Sequence, residues 1–158
     1  MTSLFVDPTV SDLSDRTGVD VLAHVDREAT IPVIAGIQAQ GDLIVIPLDL
    51  VPEVSVFNVR WTELPPTGIE VVRGGSGANP HVLVADPGSC RWTSRVRDSE
   101  GLALGCLDTS GIAYLLHPEH GGSGIAPGRY LIRRQRERAA TAWHGSIPGR
   151  LSTALVAD

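Results

Sequence analysis

The chain of 158 residues contains no lysine; its 13 Lys-or-Arg positions are all arginine. That absence excludes Schiff-base chemistry, a pyridoxal phosphate anchor, the lysine of a phosphate-binding P-loop and the lysine of a kinase site. Aromatic residues make up only 4% of the chain, too few for a platform on which nucleic-acid bases would stack. No run of eighteen apolar residues is present, so no transmembrane helix is expected. The start, Met1 to Asp7, has no basic stretch leading into a long apolar one; a secretory signal is not expected and the expected location is cytoplasmic. The two cysteines, Cys90 and Cys106, form no C-x-x-C pair. Without a sign of secretion they are expected as buried free thiols, with a disulfide or a catalytic thiol as the alternatives. A formal net charge of −5 argues against a bulk binder of nucleic acid or of an anionic membrane.

What is present reads mainly as β structure in a chain whose length fits one domain. Residues 1–30 are polar and acidic and form an N-terminal arm. A short helix is predicted there over Val19 to Arg27, burying Val21, Leu22 and Val25, with His24 beside the apolar stripe. Residues 31–158 are expected to form a single β domain. The β-branched run after Gly41 reads as a strand, as do Val54 to Trp61, Ile69 to Arg73 and His81 to Ala85, while Cys90 to Val96 has branched and aromatic residues between arginines. Leu102 to Leu107 and Ile112 to Leu116 are predicted to pair as a hairpin around Asp108 to Gly111. Pro127 to Glu137 reads as one long strand, and Leu151 to Val156 as a last one. Many short strands separated by glycine and proline point to a small antiparallel barrel or sandwich.

The sharpest local pattern is Leu116-His-Pro-Glu-His-Gly-Gly. On extended chain His117 and Glu119 share a face, and the glycines let the chain turn so that His120 joins them. Imidazole with carboxylate suits zinc, iron or manganese; the alternative is a polar turn with hydrogen-bonded histidines. His81 is a further candidate ligand, or an ordinary histidine at the start of a strand. The Gly74–Gly77 loop matches neither a P-loop, a dinucleotide fingerprint nor the G-x-S-x-G elbow, so a hairpin loop is expected and Ser76 and Ser123 are not expected to be nucleophiles. Five arginines, Arg129, Arg133, Arg134, Arg136 and Arg138, form a basic stripe. On a strand Arg134 shares a face with Tyr130 and Ile132, and Arg129 and Arg133 share the other with Leu131. Guanidinium forks match phosphate and carboxylate; a solvated face paired with the chain's own acids is the alternative.

Four blocks in order, Gln40-Gly-Asp-Leu-Ile-Val-Ile-Pro, Gly75-Ser-Gly-Ala-Asn-Pro-His, His117-Pro-Glu-His-Gly and Pro127-Gly-Arg-Tyr-Leu-Ile-Arg-Arg-Gln-Arg-Glu, resemble a family of small bacterial proteins of unassigned function, common in GC-rich actinobacteria. Its members read Q-G-D-V, T-G-H-x-H, H-x-E-H and P-x-G-x-Y-x-V-x-R-Q-R-E. The resemblance implies a cupin-like layout in which histidines of two strands meet, and so a metal site. Here Asn79-Pro80-His81 stands where the family has two histidines, so one ligand of that set is missing.

Three functions follow. The first is a non-enzymatic β domain that assembles with itself or with another protein, with or without a structural metal. The second is a cupin-like metal-dependent enzyme with His81, His117, Glu119 and His120 as ligands. The third is binding of an acidic ligand or nucleic acid through the arginine stripe. The first ranks highest because no complete acid–base or nucleophile set is visible. A homo-oligomer or a protein partner is expected, with neither nucleic acid nor membrane. No cofactor beyond a divalent transition metal is implied, and whether the chain is an enzyme is left open.

Overall fold

The computed structural model describes residues 8–23, 25–56, 60–73, 79–138 and 153–155, without the side chains of 73, 136–138 and 153–155. His24 and the Gly74–Gly77 loop with Ser76 lie outside the described residues. The elements are α1 (Val10–Thr17), β1 (Val33–Ile34), β2 (Gln38–Gln40), β3 (Leu43–Pro47), β4 (Thr62–Glu63), β5 (Ile69–Arg73), β6 (Pro80–Ala85), β7 (Cys90–Thr93), β8 (Ala103–Thr109), β9 (Ala113–His117), β10 (Gly121–Ile125), β11 (Gly128–Arg134), β12 (Arg136–Arg138) and β13 (Thr153–Leu155), with a 3-10 turn at Leu48–Leu50.

Two sheets face each other as a sandwich; among the described residues no closed barrel forms. The first runs β1-β10-β9-β6-β5 and the second β2-β3-β11-β8-β7-β4, while β12 and β13 pair separately. All these pairings are antiparallel except that of β1 with β10.

Alternation along the strands sorts the apolar residues into three layers. Between the sheets lie Leu43 and Val45 of β3, Leu83 and Ala85 of β6, Ala113 and Leu115 of β9, Leu107 of β8, and Tyr130 and Ile132 of β11. On the outer face of the first sheet, Val82, Val84, Tyr114 and Leu116 pack against Val10, Leu13, Val19 and Val21 of the N-terminal arm. Leu13 is fully buried there, a contribution of about 1.5–3 kcal/mol. On the outer face of the second sheet, Ile46, Cys106 and Leu131 are covered by Val51, Val54, Val56 and Trp61 from the segment that follows β3.

Four expectations about local structure change; over Val54 to Trp61 the described residues form no strand, only an isolated bridge between Ser55 and Arg97. The N-terminal helix is Val10–Thr17 instead of Val19 to Arg27. Thr9 and Asp12 form a reciprocal capping box that starts it and satisfies its first amides, and Gly18, at φ 75°, stops it. The strands β8 and β9 do not pair as a hairpin. The chain crosses between sheets at residues 110–112, and each strand finds its partners in its own sheet, β7 and β11 for β8 and β6 and β10 for β9. Both strands bury an inner face on the same core from opposite sides, which a shared sheet would not permit. The predicted long strand breaks at Gln135 into β11 and β12.

Both cysteines are buried and free. Burial pushes each thiol up to about 12, so neither is a nucleophile near neutral pH.

Candidate functional site

The inner-facing rows of β6 and β9 are apolar until they reach one end of the sandwich. There the rows Leu83–Ala85 and Ala113–Leu115 continue as His81 and His117. Val82 pairs with Leu116, so the two histidines sit side by side, their ring centroids 4.3 Å apart. The ring of His120 stacks on that of His117 at 4.5 Å. The result is a column of three imidazoles running from the fully buried His81 and His117 to the exposed His120.

The second sheet supplies the polar partners. The register of β2 on β3 pairs Gln40 with Leu43, which leaves a two-residue turn, Gly41-Asp42. Gly41 takes φ 57°, a conformation that favours glycine. The turn aims both flanking side chains inward, and Gln40 and Asp42 are each only 4% exposed. His81 Nδ1 lies 3.0 Å from Gln40 Oε1 and His81 Nε2 lies 3.1 Å from Asp42 Oδ1. The Gln40 amide is oriented by its other contacts. Its Nε2 donates to the carbonyl oxygens of Leu115 at 2.8 Å and Gly121 at 3.3 Å, and contacts Ser123 Oγ at 3.1 Å. Its oxygen therefore faces His81.

These contacts engage three ring nitrogens of the two buried histidines. Nδ1 of His81 faces the Gln40 amide oxygen and donates to it, and Nε2 shares a proton with the Asp42 carboxyl, so both ring nitrogens are engaged. His117 has the opposite environment. Its Nδ1 accepts the backbone amides of Glu119 at 3.1 Å and His120 at 3.3 Å, so its proton sits on Nε2 and the ring is neutral. It closes the three-residue turn between β9 and β10, where Gly121 takes φ 77°.

The motif at the end of β11 meets the same corner. The Gln135 amide donates to the carbonyl oxygens of Gly41 at 3.1 Å and Leu43 at 3.3 Å, and its backbone N–H donates to that of Asp42 at 2.8 Å. Gln40, Asp42 and Gln135 were not among the site residues expected from sequence; the available signal was that two short polar motifs flank the apolar strands β3 and β11.

Of the expected ligands, His117, Glu119 and His120 are brought together, with one potential ligand atom from each within 4.8 Å of the others. His81 joins the column through its ring face, with its nitrogens on Gln40 and Asp42. The arginine stripe divides. Arg129 and Arg133 lie on the outer face of the second sheet with Leu131, Arg129 bonded to Asp108 and Arg133 to Glu100. Arg134 shares the inner-facing side of β11 with Tyr130 and Ile132 and is half-buried. Arg136 and Arg138 are placed in β12 by their backbone, their side chains lying outside the description.

No described helix is long and apolar enough to cross a membrane. No curated protein and no solved structure matches the chain. A family model matches residues 39–135, a span that opens one residue before Gln40 and closes on Gln135, the two outermost members of the corner network. The chain thus belongs to the family described as a domain of unknown function, DUF8820.

Proposed function

We propose that this chain is a non-enzymatic β domain that works by self-assembly or by binding another protein, and that its histidine cluster holds the sandwich together at one end. The observation that carries this reading is the engagement of the ring nitrogens. Both nitrogens of His81 are bonded to the opposite sheet, and Nδ1 of His117 is bonded to the turn it closes. A general base or a metal ligand needs a lone pair aimed at a reactant or an ion, and both nitrogens of His81 are instead turned onto Gln40 and Asp42. Light scattering over a range of concentrations tests the reading. A mass that rises with concentration, or a stoichiometric complex with one protein, supports it; a strict monomer with no protein partner contradicts it.

A second reading rests on the closeness of His117, Glu119 and His120. A transition metal there would take one nitrogen of His117, either Nδ1 by displacing the amides of Glu119 and His120 or Nε2 by displacing the proton it carries. Elemental analysis of protein purified without a His tag, beside a His117→Ala, His120→Ala variant, separates the two. One equivalent of metal in the parent, lost in the variant, favours the metal reading.

A further inference from the structure

The outer face of the second sheet carries a row of alternating charge. Strand register sets Glu63 of β4 against Arg91 of β7, Arg91 against Asp108 of β8, and Asp108 against Arg129 of β11. Asp108 is the shared anion. Arg91 reaches it at 2.8 Å and Arg129 at 3.3 Å. Trp61 lies across the two cations, with the Arg91 guanidinium 4.7 Å and the Arg129 guanidinium 5.8 Å from its ring centre. A concavity of about 390 Å³ opens beside them, lined by Trp61, Glu63, Ser89, Arg91, Asp108 and Ser110. Tryptophan and arginine held rigidly next to a concave surface are the side chains that dominate protein–protein contacts.

The electrostatics of the molecule point to what covers this surface. With the exposed Arg60, the row holds three arginines against Glu63 and Asp108, a local charge of +1 on a chain whose formal charge is −5. The N-terminal arm is the reverse. Over residues 10–30 it exposes Asp12, Asp15, Asp20, Asp26 and Glu28, with only Arg16 and Arg27 of opposite sign, a local charge of −3. This arm packs on the outer face of the first sheet and the arginine row lies on the outer face of the second. The two surfaces therefore look away from each other and cannot meet within one molecule.

We infer that the Trp61–Arg91–Arg129 surface docks the acidic N-terminal arm of a second copy of this chain, giving a head-to-tail contact. Because the contact joins two different surfaces, it is heterologous, and it extends into a chain or closes into a ring. The inference deepens the self-assembly reading and rests on it. Charge attraction between exposed groups makes the contact weaken as salt rises through the range where the screening length falls below about 10 Å.

A charge-exchange experiment by light scattering tests it, with circular dichroism to confirm that each variant is folded. The parent is expected to grow with concentration at low salt and to shrink on salt addition. Arg91→Glu with Arg129→Glu, and separately Asp15→Arg with Asp20→Arg, are each expected to stay monomeric. Mixing the two variants is expected to restore assembly, since each then offers a surface complementary to the other. Asp15 and Asp20 lie outside the capping box, so the second variant tests the contact even if the first does not fold. A parent that assembles, with variants that assemble equally well or are not rescued by mixing, overturns the head-to-tail contact and leaves self-assembly standing. A parent that is monomeric at every concentration and salt overturns the contact and self-assembly together.

Discussion

The Asp42 network at the corner is buried and the Asp108 network on the outer face is exposed, and the contrast shows what burial does to the same chemistry. At the corner, Asp42 and His81 form a pair in which both side chains are nearly inaccessible. On the outer face, Asp108 binds Arg91 and Arg129, whose side chains are about half exposed at 46% and 55%. An ion pair in water is screened and contributes little. A buried one is costly to assemble and more costly to break, because removing one partner strands the other charge. The corner pair is thus a device for holding two sheets in register, since Asp42 and His81 belong to different sheets. The surface row leaves its charges available to a partner.

The largest expected effect comes from breaking the buried side of this comparison. Asp42→Ala strands the buried Nε2 of His81 without its partner and, with the ring charged, is expected to cost about 3–5 kcal/mol, read as a lowered midpoint in denaturant unfolding. A cost below about 1 kcal/mol would show that the ring is neutral. A smaller effect sharpens the contrast with a neutral buried group. Cys90 is the chain neighbour of Arg91 but faces the inter-sheet core. Its thiol and that of Cys106 are pushed by burial up to about 12, above the unfolded value. The folded chain therefore holds these protons after the unfolded chain has lost them. Their contribution to stability is constant below about pH 8 and falls as pH rises from about 9 towards 12, by at most about 1.4 kcal/mol per pH unit for each thiol. Urea titrations at pH 7, 9 and 10.5 check the sign, and a Cys90→Ala, Cys106→Ala variant should lose that slope. The smallest effect belongs to the exposed row. Asp108→Ala is expected to change folding stability by less than about 1 kcal/mol; a loss approaching that of Asp42→Ala would place the surface row in the same class as the corner.

The sequence made some of this legible and hid the rest for definite reasons. The sandwich could be read because β-branched runs between glycine and proline are a local signal, and Ile69–Arg73 and the His81 strand fall where expected. The pairing of β8 and β9 could not, because a short polar link serves a hairpin and a crossover between sheets equally well. His117, Glu119 and His120 were visible as neighbours in sequence. Gln40 and Asp42 were not, since their partner His81 lies about forty residues away and a Gln-Gly-Asp triplet looks like any other turn. The direction of Arg134 was readable from alternation on β11, whereas the Trp61 surface depends on four strands lining up in register, which no local pattern encodes.

The account turns on the protonation of His81 and His117. Long-range nitrogen–proton correlation on protein labelled with nitrogen-15, recorded at pH 7 and assigned with a His81→Gln variant, reads it directly. Protons on both ring nitrogens of His81, with His117 neutral and protonated at Nε2, are the result expected from the Gln40, Asp42 and turn contacts. A neutral His81, or a His117 ring protonated at Nδ1 with Nε2 free to bind a metal, would contradict the structural role assigned to the histidine cluster.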